Sequence, residues 1–204
     1  MIYTFKAIIF DMGGVILRTV DPAPREAMAR RFGTTREELE KYVFRSPTSV
    51  QSEVGQVSDI YHWQTVLKHF GQTGADPLEA YSEYFSGDAI DQELLGYAVS
   101  LKPEYKIGLL SNAWVDSRNK LGSLFYFIDV FDVAIFSDEV KARKPEEEIF
   151  RLMLDRLIVK PEESIFIDDF IENIEGAKKL GINSILFKHA QGTIRQINAM
   201  LGRE

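Results

Sequence analysis

Ala7-Ile8-Ile9-Phe10-Asp11-Met12-Gly13-Gly14-Val15 is the stretch that decides the fold. Four apolar residues in a row, without polar alternation, describe a strand covered on both faces, as in a parallel sheet packed between helices. The acid that follows stands at the strand's C-terminal end, where open α/β sheets place their ligands. The two glycines behind it permit a backbone turn that bulkier residues would obstruct. Four more runs share this character: Ile107-Gly108-Leu109-Leu110, Val133-Ala134-Ile135-Phe136, Ile165-Phe166-Ile167 and Ser184-Ile185-Leu186-Phe187. Between the later runs lie helical patterns. Glu146 to Leu157 puts Ile149, Phe150, Met153, Leu154 and Leu157 on one side, and Glu172 to Leu180 stops at Gly181. Thr193 to Leu201 reads as a short final helix. Strand, helix, strand with short connections predicts a doubly wound parallel α/β sheet.

The stretch from Thr19 to Asp88 has another character. Its apolar spacing is helical over Arg25–Phe32, Arg36–Phe44, Asp59–Phe70 and Pro77–Phe85, with Thr34 or Thr35 and Ser58 as N-caps and Gly33 and Gly71 as stops. No strand is expected within it. The chain is therefore expected to divide into an α/β core, 1–18 and 89–204, and a small helical cap, 19–88, inserted after the first strand. The cap's Tyr61, Trp63, Phe70, Tyr81, Tyr84 and Phe85 are expected mostly between helices, with one or two closing over substrate.

Composition narrows the function. Among 204 residues, 45% are hydrophobic and 27% charged, an ordinary globular balance. Acids outnumber bases 31 to 24, and no basic stripe offers itself to a nucleic-acid backbone. The absence of cysteine excludes disulfides, thiolate metal sites and cysteine nucleophiles. No apolar run approaches the ~20 residues of a membrane-crossing helix, and the N-terminus lacks signal-peptide anatomy, so no membrane partner and a cytoplasmic location are expected.

The acids carry the chemistry. Asp11 ends the first strand and Asp168-Asp169 end the fourth, so a parallel arrangement would bring carboxylates together at one edge. Clustered carboxylates repel, which raises their pKa values or calls for a cation between them. Oxygen ligands without Cys or His favour Mg²⁺. Each strand-end acid taken alone is equally well read as a helix cap or loop hydrogen bond. Ser111-Asn112 closes the second strand and reads as a common turn or as an oxyanion cradle. Lys144 precedes Pro145 after the third strand, as a solvated lysine or a phosphate-neutralising one. His62, His69 and His189 read as packing or surface residues, and Glu146-Glu147-Glu148 as a helix start.

Taken in order, Phe10-Asp11-Met12-Gly13-Gly14-Val15, Leu110-Ser111-Asn112, Arg143-Lys144-Pro145 and Ile167-Asp168-Asp169 resemble the motifs of the haloacid dehalogenase-like hydrolase superfamily, and Asn173 to Ile182 resembles its last motif region. The resemblance spans essentially the whole chain. Glu53-Val54-Gly55-Gln56-Val57-Ser58 is similar to the cap of the sugar-1-phosphate phosphatase subgroup, and Leu110 to Trp114 to the phosphatase domain attached to some epoxide hydrolases. The resemblance implies a Rossmann-like sheet in the strand order 3-2-1-4-5. It implies a phosphatase for a small phosphorylated metabolite, a sugar phosphate among the candidates, acting through an aspartyl-phosphate on Asp11. Mg²⁺ would be held by the Asp11 carboxylate, the Gly13 carbonyl and Asp168, with Asp169 supporting; Ser111, Asn112 and Lys144 would hold the phosphoryl oxygens.

One departure stands out. The family's phosphatases usually carry a second Asp where this chain has Gly13, and that acid protonates the leaving group. Its loss leaves three expectations: a substrate needing little acid assistance, a donor lent by the cap (Glu53, Asp21 or His62), or a catalytically quiet phosphate-binding or regulatory protein. A 2-haloacid dehalogenase is the remaining enzymatic alternative. The retained Asp168-Asp169 pair argues against it, since dehalogenases of this superfamily lack those acids and work without metal. Oligomeric state is open.

Overall fold

The computed structural model describes residues 4–125 and 127–203. Ala7–Phe10 (β1) is followed by the short strand Leu17–Thr19 (β2) and five helices: Ala23–Arg31 (α1), Arg36–Arg45 (α2), Pro47–Glu53 (α3), Asp59–His69 (α4) and Pro77–Phe85 (α5). Asp88–Ile90 (β3) returns the chain to the core. There, Gln92–Leu101 (α6), Lys106–Ser111 (β4), Ser117–Phe125 (α7), Val133–Phe136 (β5), Ser137–Val140 (α8) and Glu147–Leu157 (α9) follow. The chain then runs through Ser164–Asp168 (β6), Ile171–Lys179 (α10), Asn183–Leu186 (β7) and Ala190–Leu201 (α11).

Five strands form one parallel sheet with β1 at its centre. Its order is β5-β4-β1-β6-β7 rather than 3-2-1-4-5, because two short strands, β2 and β3, enter the count. Strand alternation divides the apolar residues between two cores. Ile8, Phe10, Ile107, Leu109, Ile165 and Ile167 face one side, where Leu94 of α6 and Ile197 of α11 cover them. Ala7, Ile9, Leu110 and Phe166 face the other, covered by Ile149, Phe150 and Met153 of α9 and Ile174 of α10. A side chain on Gly108 would lie 3.1 Å from Met153 Sδ, so this glycine lets α9 pack closely on β4.

Helices α1, α2, α4 and α5 enclose a third core built on Met28, Leu39, Val43, Trp63, Val66 and Tyr84. Local chemistry starts them well. Thr35 and Glu38 form a capping box at α2, and Ser46, Ser58 and Asp76 cap α3, α4 and α5. Tyr61 departs from the expectation of a packed cap aromatic, being 51% exposed. The antiparallel pair β2–β3, unforeseen in the sequence, joins cap to core, with Val20 and Asp21 N–H both donating to Gly87 C=O.

Candidate functional site

Register brings the acids together. Phe10 pairs with Ile167 on one side and Leu109 on the other, so the next residues along, Asp11 and Asp168, emerge side by side. Asp11 N–H donates to Ile167 C=O at 2.8 Å. Asp11, Asp168 and Asp169 each place a carboxylate oxygen so that all lie within 4.8 Å of one another. Asp11 and Asp168 are buried; Asp169 is exposed, with its carboxyl lying against Gly14. A Cβ on Gly14 would fall 2.3 Å from Asp169 Oδ2, and its φ of +78° favours glycine, so no larger residue is accommodated there.

Lys144 is the counterion to this cluster. Only 1% exposed, its Nζ donates to Asp11 Oδ1 at 2.6 Å, Asp168 Oδ2 at 2.7 Å and Leu110 C=O at 2.8 Å. Asn112 holds the lysine's backbone from both sides: Lys144 N–H donates to Asn112 Oδ1 (2.8 Å) and Asn112 Nδ2 donates to Lys144 C=O (2.9 Å). Asn112 thus sits in the expected place, with its side-chain amide also bound to the Lys144 backbone. Ser111 Oγ has only a 3.4 Å contact to Asn112 C=O and stays available as a donor. Asp168 is braced by Asn173 Nδ2, 3.0 Å from both its oxygens, and by Phe170 N–H at 2.8 Å. Asn173 emerges as a positioning residue whose role the sequence did not reveal. Its signal was an amide one helical turn past a strand-end acid.

The electrostatics follow from burial. Desolvation holds the Asp11 carboxyl well above the usual carboxylate range, Asp168 adds to this, and Lys144 opposes it. Asp169 is pushed up to about 7, by burial of its carboxyl first and Asp168's charge next. For Lys144 burial favours the neutral amine, but Asp11 and Asp168 more than offset it, and its pKa is raised. One ammonium among three carboxylates leaves surplus negative charge. A hard divalent cation fits a donor set made only of oxygens in this way.

Gly13 lies at the surface, and a Cβ built there meets nothing within 4 Å. Its carbonyl is on the loop of the acid cluster. Of the cap groups expected as proton donors, Asp21 accepts from Ala23 N–H at 2.9 Å. His62 is fully buried; its Nε2 lies 3.0 Å from Val43 C=O, which can only accept, so Nδ1 accepts from Thr48 Oγ1 at 2.9 Å. Both ring nitrogens of His62 are therefore engaged within the helical segment. Glu53 is buried against Arg143 Nε at 2.6 Å, its pKa raised by burial against the pull of Arg143.

Among the described residues, the ion pairs Glu53–Arg143, Arg45–Glu172 and Asp59–Lys120 join the helical segment to the sheet-bearing part of the chain. Trp114 rises from the end of β4 into the cap core, donating Nε1–H to Ser49 Oγ at 3.0 Å.

Comparison with known proteins agrees with this geometry. The family described as haloacid dehalogenase-like hydrolase matches residues 5–181. Bifunctional epoxide hydrolase 2 of Mus musculus is 29% identical over 131 residues, 62% of this chain and 24% of that protein; the chain spans about a quarter of the length of these relatives. Sesquiterpene phosphatase astK of Aspergillus oryzae is 25% identical over 99% of this chain and 100% of its own. Among solved structures, a HAD family enzyme of Bacteroides thetaiotaomicron in complex with magnesium and inorganic phosphate superposes with a TM-score of 0.71 at 25% identity, over 90% of this chain and 94% of that one.

Proposed function

The chain belongs to the haloacid dehalogenase-like hydrolases, and from that premise we propose that it is a Mg²⁺-dependent phosphatase that transfers a phosphoryl group from a small substrate to Asp11 and then to water. The observation that carries the proposal is the three-carboxylate cluster bridged by one buried lysine. Asp11, the Gly13 carbonyl and Asp168 would hold the ion, with Asp169 supporting. When bound, Mg²⁺ supplies the positive charge that lets a phosphate dianion approach a carboxylate.

The remaining work belongs to the chain. Asp11 Oδ1 is engaged by Met12 N–H (2.7 Å) and Lys144, so Oδ2 is the oxygen we assign to attack on phosphorus. The phosphorus–leaving-oxygen bond breaks as the Asp11–phosphorus bond forms, and water later cleaves the aspartyl-phosphate. Lys144 neutralises the phosphoryl oxygens and Ser111 Oγ donates to them, while Asn112 fixes the lysine's backbone and offers its own N–H. Gly13 favours a second reading, a phosphate-binding protein with little turnover.

One experiment separates the two. With p-nitrophenyl phosphate and Mg²⁺, turnover is expected that disappears in Asp11→Asn and on chelation. Phosphate binding without turnover across small phosphate esters supports the second reading.

A further inference from the structure

Resting on the part of the proposed function that sets Lys144 against the phosphoryl oxygens, we infer that Glu53 is a positioning residue. From the helical segment, and acting through Arg143, it holds Lys144 where its ammonium meets the phosphoryl group.

Helix α3 presents three buried polar side chains, Ser49, Ser52 and Glu53, to the two loops that carry site motifs. Spacings of three and four residues put them on one helix face. Ser49 Oγ accepts from Trp114 Nε1 at 3.0 Å, and Ser52 Oγ accepts from Val115 N–H at the longer reach of 3.5 Å. Both donors belong to the loop after β4. Glu53 Oε2 accepts from Arg143 Nε at 2.6 Å, on the loop before α9. Asn112, on the first loop, binds the backbone N–H and C=O of Lys144 on the second. The contacts close a circuit that runs from α3 through Trp114, Asn112, Lys144 and Arg143 back to α3. Lys144 is thereby held from two directions, by Asn112 on its own peptide groups and by Glu53 on the residue before it.

Burial sets this pair apart. Arg45–Glu172 joins the same two parts of the chain with side chains 52% and 49% exposed, and exposed pairs contribute little. The Glu53 and Arg143 side chains are 8% and 22% exposed. Burial raises the Glu53 pKa, and the charges of Arg143 and then Lys144 oppose it, so Glu53 lies within the field of both cations. The lysine has need of such bracing. Its stem is flexible, yet its ammonium must meet Asp11, Asp168 and Leu110 C=O at once. Misplacing a charge-stabilising group by about 1 Å costs up to ~10²-fold.

Binding of inorganic phosphate with Mg²⁺ present reads the position of Lys144 without requiring turnover, and phosphorus NMR follows even weak complexes. Glu53→Met should weaken binding by roughly tenfold in the wild-type background and leave it unchanged in the Lys144→Met background. Losing a negative charge beside Lys144 would by itself tighten phosphate binding, so weakening marks a displaced ammonium. Glu53→Gln keeps an acceptor for Arg143 Nε and should retain most of the affinity. Asp59→Asn, which removes the ion pair to Lys120, should lower Tm without changing phosphate affinity. Unchanged or tighter binding in folded Glu53→Met overturns the inference; so does an equal loss in both backgrounds, or phosphate binding that Lys144→Met leaves intact. Should Glu53→Met fail to fold, Arg143→Met breaks the pair from the other side, and an effect that persists in the Lys144→Met background overturns the inference. Phosphate binding that depends on Glu53 and Lys144, without Asp11-dependent turnover of p-nitrophenyl phosphate, brings down the phosphatase reading and leaves this inference standing.

Discussion

Lys144 in the core and Arg25 in the cap are both buried cations set between carboxylates. Arg25 Nη2 donates to both oxygens of Asp88 (2.9 and 2.7 Å), Nη1 reaches Glu40 at 3.2 Å and Nε Tyr84 C=O at 3.4 Å, and the guanidinium lies 4.5 Å over the Tyr84 ring. Its guanidinium engages acceptors through all three of its nitrogens, and the cluster ties α1, α2, α5 and strand β3 together. Lys144 contacts two carboxylates with a third close by, at a sheet edge where the acids outnumber it. The difference teaches where chemistry resides. A charge cluster that satisfies itself holds structure together, whereas one left with excess negative charge at a strand terminus is prepared for a cation and an anionic substrate.

The largest effect is expected at the unbalanced cluster. Lys144→Met should lower kcat/KM for p-nitrophenyl phosphate by about 10²–10³-fold, since the phosphoryl oxygens lose a fixed positive charge in a buried site. Steady-state kinetics with Mg²⁺ present measure it. Arg25→Met should instead appear in stability, a loss of about 3–5 kcal/mol in urea unfolding, because Asp88 is left buried without its partner. If folded Arg25→Met lost turnover as severely as Lys144→Met, the distinction between the two clusters would collapse.

Acid sharpens the comparison from the cap side. Burial lowers the His62 pKa from its ordinary 6.5 to about 4, so the native cap holds the neutral ring and the unfolded chain takes up the proton first. The stabilisation is complete above pH 6.5 and is lost as pH falls toward 4, on the order of 3 kcal/mol in all. Unfolding at pH 7 and at pH 4.5, compared with His62→Gln, isolates this contribution; an equal decline in the variant would assign it elsewhere. Smallest is the gain at Gly13. Its backbone does not require glycine, and the space beyond its Cα is open. Gly13→Asp should therefore accelerate decyl phosphate hydrolysis by roughly tenfold, and naphthyl phosphate hydrolysis less, by supplying a proton where the leaving group is most basic. Equal acceleration of both would detach Gly13 from leaving-group protonation.

The legible parts of this molecule are those encoded over short spans. Five continuous apolar runs became the five strands of the parallel sheet, because a strand buried on both faces has no polar face to alternate. Ser58 and Thr35 marked helix starts because an N-cap oxygen and the N–H groups that donate to it lie within four residues. The β2–β3 ribbon escaped notice because three-residue strands carry too little pattern, and their pairing joins Leu17 to Ile90 across the whole cap. Asn112 was legible as a site residue but not as a clasp on Lys144, thirty-two positions away. Trp114, next to the Ser111-Asn112 motif, gave no sign that it would enter the cap core.

Residue order alone determined that strands end in carboxylates and that a helical segment follows the first of them, since both are properties of neighbours in the chain. Tertiary structure decided that Asp11 and Asp168 share one edge, that Lys144 is buried between them, and that Trp114, next to the second strand's motif, stacks on Phe44 of the helical segment. Those facts rest on register and packing between segments as much as 157 residues apart along the chain, from Asp11 to Asp168, where only the folded sheet brings the partners within reach.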